Sequence, residues 1–238
     1  MFIQLDKTAS TAIAKELVEN YAGEPVLWKH ARYEDFMVIA TPEEKKYFIF
    51  SGIRNPLDVS VSYYYYCKRE HINNKLNLKK YLFISKNNAD FVTYFKAFCT
   101  KGLYEEWKVK NFKKLDYIYR YENLQKDFSE ILKKIGVPQK RPVPVFNKTE
   151  GKEENYESYY TKEIQGIARI IFGMFMKKWG YEFPKGWKEA SFNEKYFIEP
   201  MLYVKFWLES MAHLVVDHPL IYKRFYRIKN TNENSHIS

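Results

Sequence analysis

The 238 residues suffice for one medium domain with a substantial core, and 46% hydrophobic content with 18% aromatics excludes a disordered chain. Lys and Arg outnumber Asp and Glu by 39 to 29, a formal charge of +10 that points to an anionic partner: nucleic acid, membrane, acidic polysaccharide or polyphosphorylated nucleotide. Cys67 and Cys99 are too few for a disulfide framework or a Cys-rich zinc site, and no 18-residue apolar run exists to span a bilayer, so a cytoplasmic protein without a transmembrane segment is expected.

In chain order, FIQL (2–5) reads as a first strand, and the hydroxyl-rich turn Lys7–Thr11 leads into a helix over 11–21, where Ala12, Ile13, Leu17 and Val18 share a face. PVLW (25–28) and YFIFSGI (47–53) read as the second and third strands. A helix starts at Pro56, with Asn55 as N-cap, proline at the first helical position and Asp58 in the first turn. Residues 71–114 hold no convincing strand and read as a helical insertion on the acceptor side, before a fourth strand in LDYIYRY (115–121). DFSEILKKIGVP (127–138) predicts a helix opened by Asp127 and Glu130 and stopped at Gly136. A polar connection (138–155) and an amphipathic helix (161–179) follow. Beyond about 190 comes an aromatic, basic extension with a helix around 198–214 and an end, NTNENSHIS, expected to be disordered. The alternation predicts an α/β domain over 1–189, a central parallel sheet flanked by helices, with a helical C-terminal extension over 190–238.

In such a sheet, ligands bind beyond the carboxyl ends of strands, where loops run into helix N-termini whose free amides attract anions. Lys7, Thr8, Ser10 and Thr11 stand there after the first strand, and Arg54 stands there after the third, with Ser62 about two turns into the following helix. Thr8 or Ser10 could equally serve as a plain helix cap. A Walker A loop is a poor description, because the turn has no glycine and its lysine comes first.

KTAST, followed about forty residues later by IRNPLDVSVSYY, resembles the phosphate-binding motifs of sulfotransferases, the carbohydrate branch in particular. YIYRYENLQKDFSEILKKIGVP and YESYYTKEI…KKWGYEF extend the resemblance over roughly residues 2–184. It implies the P-loop-NTPase-like sulfotransferase fold and a donor, 3′-phosphoadenosine 5′-phosphosulfate, leaving as adenosine 3′,5′-bisphosphate, without a metal. Lys7, Thr8, Ala9, Ser10 and Thr11 would wrap the 5′-phosphosulfate, Lys7 also neutralising the bridging oxygen; Arg54 and Ser62 would hold the 3′-phosphate. Lys148 and Thr149 fall where the family brings a late loop over the cofactor. Family members place His or Glu near the end of the second strand as general base, which selects His30, with Glu34 and Asp35 as alternatives. Arg120 and Glu122 are expected to form an ion pair beneath the nucleotide.

Two features depart from the family pattern: Asp6 puts a carboxylate beside the anion turn, and FGMFMKK lacks an acidic residue before the final Gly-Tyr. The acceptor class expected first is a carbohydrate hydroxyl, the net charge favouring an acidic one, with lipid and small-metabolite hydroxyls next; Lys29 and Arg32 either bind such an acidic acceptor or are simply solvated on a basic protein. Nucleic acid is not expected as a partner. The extension could pack, dimerise, cover the acceptor cleft or touch a membrane peripherally. The competing readings are an anionic-polymer-binding protein, using exposed aromatics such as Tyr63–Tyr66, Trp107, Phe206 and Trp207, and an atypical Mg²⁺-dependent kinase with Asp6 or Asp35 on the metal.

Overall fold

The computed structural model describes residues 1–69, 75–104, 114–144 and 151–216, with backbone alone at 75–76 and 212–216. Its elements are α1 (Ser10–Asn20), α2 (Tyr33–Ile39), β1 (Phe50–Ile53), α3 (Pro56–Lys68), α4 (Lys75–Asn87), α5 (Phe91–Phe98), β2 (Tyr117–Arg120), α6 (Leu124–Lys134), α7 (Gln165–Trp179) and α8 (Glu199–Val216). The protein is mixed α/β and mostly helical. No helix among the described residues is long and apolar enough to cross a membrane.

β1 and β2 pair in parallel, Phe50 opposite Tyr117 and Gly52 opposite Tyr119. The N-terminal run flanks the other edge of β1 through one parallel bridge, Phe2 to Phe50: the Phe50 amide donates to the Met1 carbonyl at 3.0 Å and the Ile3 amide to the Phe50 carbonyl at 2.9 Å. Among the described residues the sheet is therefore smaller than the sequence pattern suggests, two strands and a bridged segment instead of four strands. PVLW forms no strand: Val26 and Trp28 are exposed, and Pro25 has no N–H to give to a ladder. An apolar run becomes a strand only when another backbone edge is there to pair with it.

Helices cover both faces of this small sheet. Phe50 and Tyr119 pack with Ala12 and Ile13 of α1 and with Phe128 and Ile131 of α6. Ile53 and Leu5 pack with Phe175 of α7 on the other side. The crossover from β1 to β2 runs through α3, α4 and α5, and an aromatic core of Tyr64, Phe91, Tyr94, Phe95, Tyr160 and Phe172 welds α3 and α5 to α7. The described part of 71–114 holds α4 and α5 joined and followed by turns, with no strand among its described residues.

Helix boundaries follow the local chemistry. At α3, the Asn55 side chain accepts from the Leu57 amide at 3.0 Å, and Pro56 occupies the first position. α6 opens at Leu124, three residues before the expected Asp127, because the Asp127 carboxylate is used elsewhere, accepting the Arg120 amide at 2.6 Å and so tying α6 to β2. Gly136 stops α6 at φ +73°, its amide bonding Lys133 and the next amide, of Val137, reaching back to Leu132. The four tyrosines divide: Tyr64 is core, Tyr65 meets the Tyr159 hydroxyl at 2.8 Å, and Tyr63 and Tyr66 turn to Lys7.

Candidate anion-binding site

The turn after Leu5 is held in a conformation that side chains other than glycine rarely adopt: Lys7 has φ +63° and Ala9 φ +62°. Each such residue costs about 1 kcal/mol, so something must fix it. Thr8 does so from within. It is fully buried, its hydroxyl donates to the Leu5 carbonyl at 3.0 Å, and its carbonyl accepts from the Tyr119 hydroxyl at 3.0 Å. Tyr119 reaches Thr8 by lying flat across β1, where its cross-strand partner is Gly52; a Cβ on Gly52 would sit 2.1 Å from the ring. Thr8 thus anchors the turn with its side chain and offers a ligand only its amide.

α1 opens with left-handed Ala9 as its N-cap and no side-chain cap, so neither Thr8 nor Ser10 fills the capping role. The Ala9 carbonyl takes the amides of Ala12 and Ile13, at 2.9 and 3.1 Å. Those of Ser10 and Thr11 meet no backbone acceptor among the described residues, which leaves the positive end of the helix open to an anion. Ser10 is buried; Thr11 is exposed.

Lys7 projects from this turn onto α3, its ammonium 4.0 Å from the Tyr66 ring centroid and 5.1 Å from that of Tyr63. Burial pulls its pKa down from 10.5 to about 8, with Asp6 opposing and Arg54 and Arg69 reinforcing the fall. Arg54 leaves the end of β1 and donates to the Lys7 carbonyl at 2.9 Å, joining the two helix starts by a single hydrogen bond. It also makes two bonds to Asp58 Oδ2, at 2.8 and 2.6 Å, and lies over the Tyr121 ring, 3.8 Å from its Cζ. Asp58 Oδ1 is in turn paired with Lys152. Ser62 lies further along the same helix, buried.

Around this pair the scaffold is closely bonded. The Asn55 amide donates to Glu122 Oε1 at 2.7 Å, and Asn55 Nδ2 to the Tyr156 hydroxyl at 3.0 Å. Arg120 and Glu122 do not form the expected ion pair: Arg120 donates to the Trp179 carbonyl and stacks on Tyr181, whose hydroxyl bonds Glu122 Oε2 at 3.0 Å. Arg120 ends β2 while Glu122 lies in the 3₁₀ turn that follows it, and Tyr181 stands between the two.

His30 is brought to the turn even though no strand precedes it. With φ +66°, it places Nε2 2.8 Å from Asp6 Oδ1 and Nδ1 3.2 Å from the Gln4 carbonyl. Both ring nitrogens face acceptors, so neither is turned to an outside donor while both contacts hold. The unusual Asp6 is accounted for by this pairing. Asp35 accepts from the Arg32 amide at 2.6 Å and closes the first turn of α2, beside Glu34 in the same turn; Lys29 is exposed. Lys148, Thr149 and Trp107 lie outside the described residues.

Three contributors escaped sequence reading. Lys152 follows left-handed Gly151, and that Gly-Lys pair was its available signal. Tyr121 and Tyr119 belong to an aromatic strand in which only the glycine opposite Tyr119 hinted at a ring crossing the neighbouring strand. No protein-family model, curated protein or solved structure matches this chain.

Proposed function

We propose that the chain is a sulfotransferase of the α/β, P-loop-like type, moving a sulfuryl group from 3′-phosphoadenosine 5′-phosphosulfate to a hydroxyl, a carbohydrate hydroxyl first, in the cytoplasm. The observation that carries this reading is the junction of two cationic helix starts: Lys7 with the open amides of α1, and Arg54 with Lys152 at the start of α3. A ligand with two separate anionic groups suits such a pair, and the motif spacing of KTAST and RNPLDVSVS agrees with it. The residues fit the donor by chemistry: backbone amides and an ammonium for one anion, a planar multi-donor fork for the other.

In this reading the acceptor oxygen bonds to sulfur as the bond from sulfur to the bridging phosphate oxygen breaks, and the acceptor proton passes to His30 or to a nearby carboxylate such as Glu34. Lys7 stabilises the charge that develops on the bridging oxygen, an electrostatic role worth most where water is excluded. The buried Lys7 environment supports it.

Calorimetric titration with adenosine 3′,5′-bisphosphate tests the proposal, with ATP plus Mg²⁺ as the control. Metal-independent micromolar binding that Arg54→Ala abolishes is expected. Binding of ATP only with Mg²⁺ would replace the proposal with a kinase, and absence of both with a polymer-binding role.

A further inference from the structure

α8 is the least satisfied surface of the described protein. It meets the body along one line, through buried Leu202 and the partly buried Ile198 and Phe206, with Lys205 donating to the Lys101 carbonyl. Its outward face carries Met201, Val204, Leu208 and Met211, at intervals of three, four and three residues, and Phe197, in the π-helical turn (Glu194–Ile198) that leads into α8, stands four residues before Met201. That is the seam spacing of a helix pair, in which each side chain enters a gap on a facing helix. Phe192, Tyr196, Tyr203 and Trp207 widen the stripe, and these nine side chains are between 42% and 68% exposed.

The area decides between a stray patch and an interface. With side chains of this size the stripe offers on the order of 800 Å² of apolar surface, beyond the largest patch of an ordinary monomer and about one partner's share of a stable interface. A membrane is a poorer occupant, because an interfacial helix needs a cationic polar face. Residues 192–211 carry Glu194, Glu199 and Glu209 against Lys195 and Lys205. We infer that α8 pairs with α8 of a second copy of this chain, as a two-fold homodimer closed by the Phe197–Met211 stripe. Such an isologous contact buries the same seam on both copies and closes on itself.

Sedimentation velocity on the full chain between 1 and 50 μM (roughly the range over which interfaces of this size are populated) tests the inference, with Met201→Glu/Leu208→Glu as the seam variant. The wild type is expected to sediment as a dimer and the variant as a monomer with unchanged far-ultraviolet circular dichroism, association being weakened roughly hundred-fold or more. Hydrogen exchange of the wild type gives a second readout, slowing across 197–211 as concentration rises. A wild type that stays monomeric at 50 μM overturns the inference, as does a dimer that survives the double substitution. Flotation of a monomeric wild type with phosphatidylcholine–phosphatidylserine vesicles, lost in the variant, would assign the stripe to a membrane instead.

Discussion

Replacing Tyr119 by Phe removes one oxygen from the interior and tests whether the Lys7 turn is held from beneath. Three contacts meet there: Thr8 hydroxyl to Leu5 carbonyl at 3.0 Å, Tyr119 hydroxyl to Thr8 carbonyl at 3.0 Å, and the two hydroxyl oxygens 3.2 Å apart. Two hydroxyl protons serve them, so the Thr8 proton goes to Leu5 and the Tyr119 proton to the Thr8 carbonyl. Phe keeps the ring over Gly52 and opens no cavity, yet it leaves that buried carbonyl without its donor, at a cost of about 1–3 kcal/mol. The freed turn can then relax Lys7 and Ala9 toward negative φ, and an anion must restore them on binding. The expected result is a denaturation midpoint lowered by the equivalent of about 2 kcal/mol, together with bisphosphate affinity weakened about tenfold, since the competent turn is populated less. Urea unfolding and calorimetry on one preparation read both. Stability and affinity both within twofold of wild type would refute the reasoning; lost stability with unchanged affinity would confine Tyr119 to the scaffold.

Gly52→Ala should be worse than Tyr119→Phe, because a Cβ 2.1 Å from the ring must push Tyr119 off the strand; overpacking of this kind costs about 1–3 kcal/mol beyond the lost tie, and the thermal midpoint reads it. Lys152→Ala should weaken adenosine 3′,5′-bisphosphate about tenfold, as loss of one charge-assisted contact does, and leave adenosine 5′-monophosphate unchanged in the same calorimeter. Bisphosphate affinity should hold level up to about pH 8, where free Lys7 starts to lose its proton, and decline above it by up to about tenfold per unit; Lys7→Arg should flatten that decline. The sign for stability is opposite: the folded pKa lies below the unfolded one, so the cost of the buried charge is fully present below pH 8 and is relieved as pH rises from about 8 toward 10.5.

The features legible in the sequence are those decided within a few neighbouring residues. Asn55-Pro56 fixes the start of α3, Gly136 the end of α6, and the Lys7 and Arg54 turns fall at the ends of apolar runs that do lie side by side. What depended on distant partners was not legible. PVLW has strand composition but no edge to pair with, and Asp127 has the look of a helix cap until β2 claims it. Thr8 reads as a ligand hydroxyl; only Tyr119, 111 residues away, turns it inward. Likewise the intervals along α8 can be counted in the sequence, but which face Leu202 buries, and so which face is left over, is a tertiary fact.

These details share one energetic direction. Half-buried Lys7 has its pKa drawn down to about 8, chiefly by burial, so its charge is disfavoured in the folded chain, and a second cation, Arg54, donates to the Lys7 carbonyl. Lys7 and Ala9 add left-handed strain, and α1 begins without a side-chain cap. Nothing in packing the core requires this arrangement: a capped helix start with a solvated lysine would be more stable. An anion seated on the α1 amides would oppose the loss of charge on Lys7, complete the helix start and reward the strained turn, so each unfavourable choice becomes favourable at once. Asp58 belongs to the same logic. By pairing with Arg54 and Lys152 it keeps two converging cations from repelling each other before a phosphate arrives, and because it shares them through separate oxygens, either cation can turn to a ligand without stranding the other.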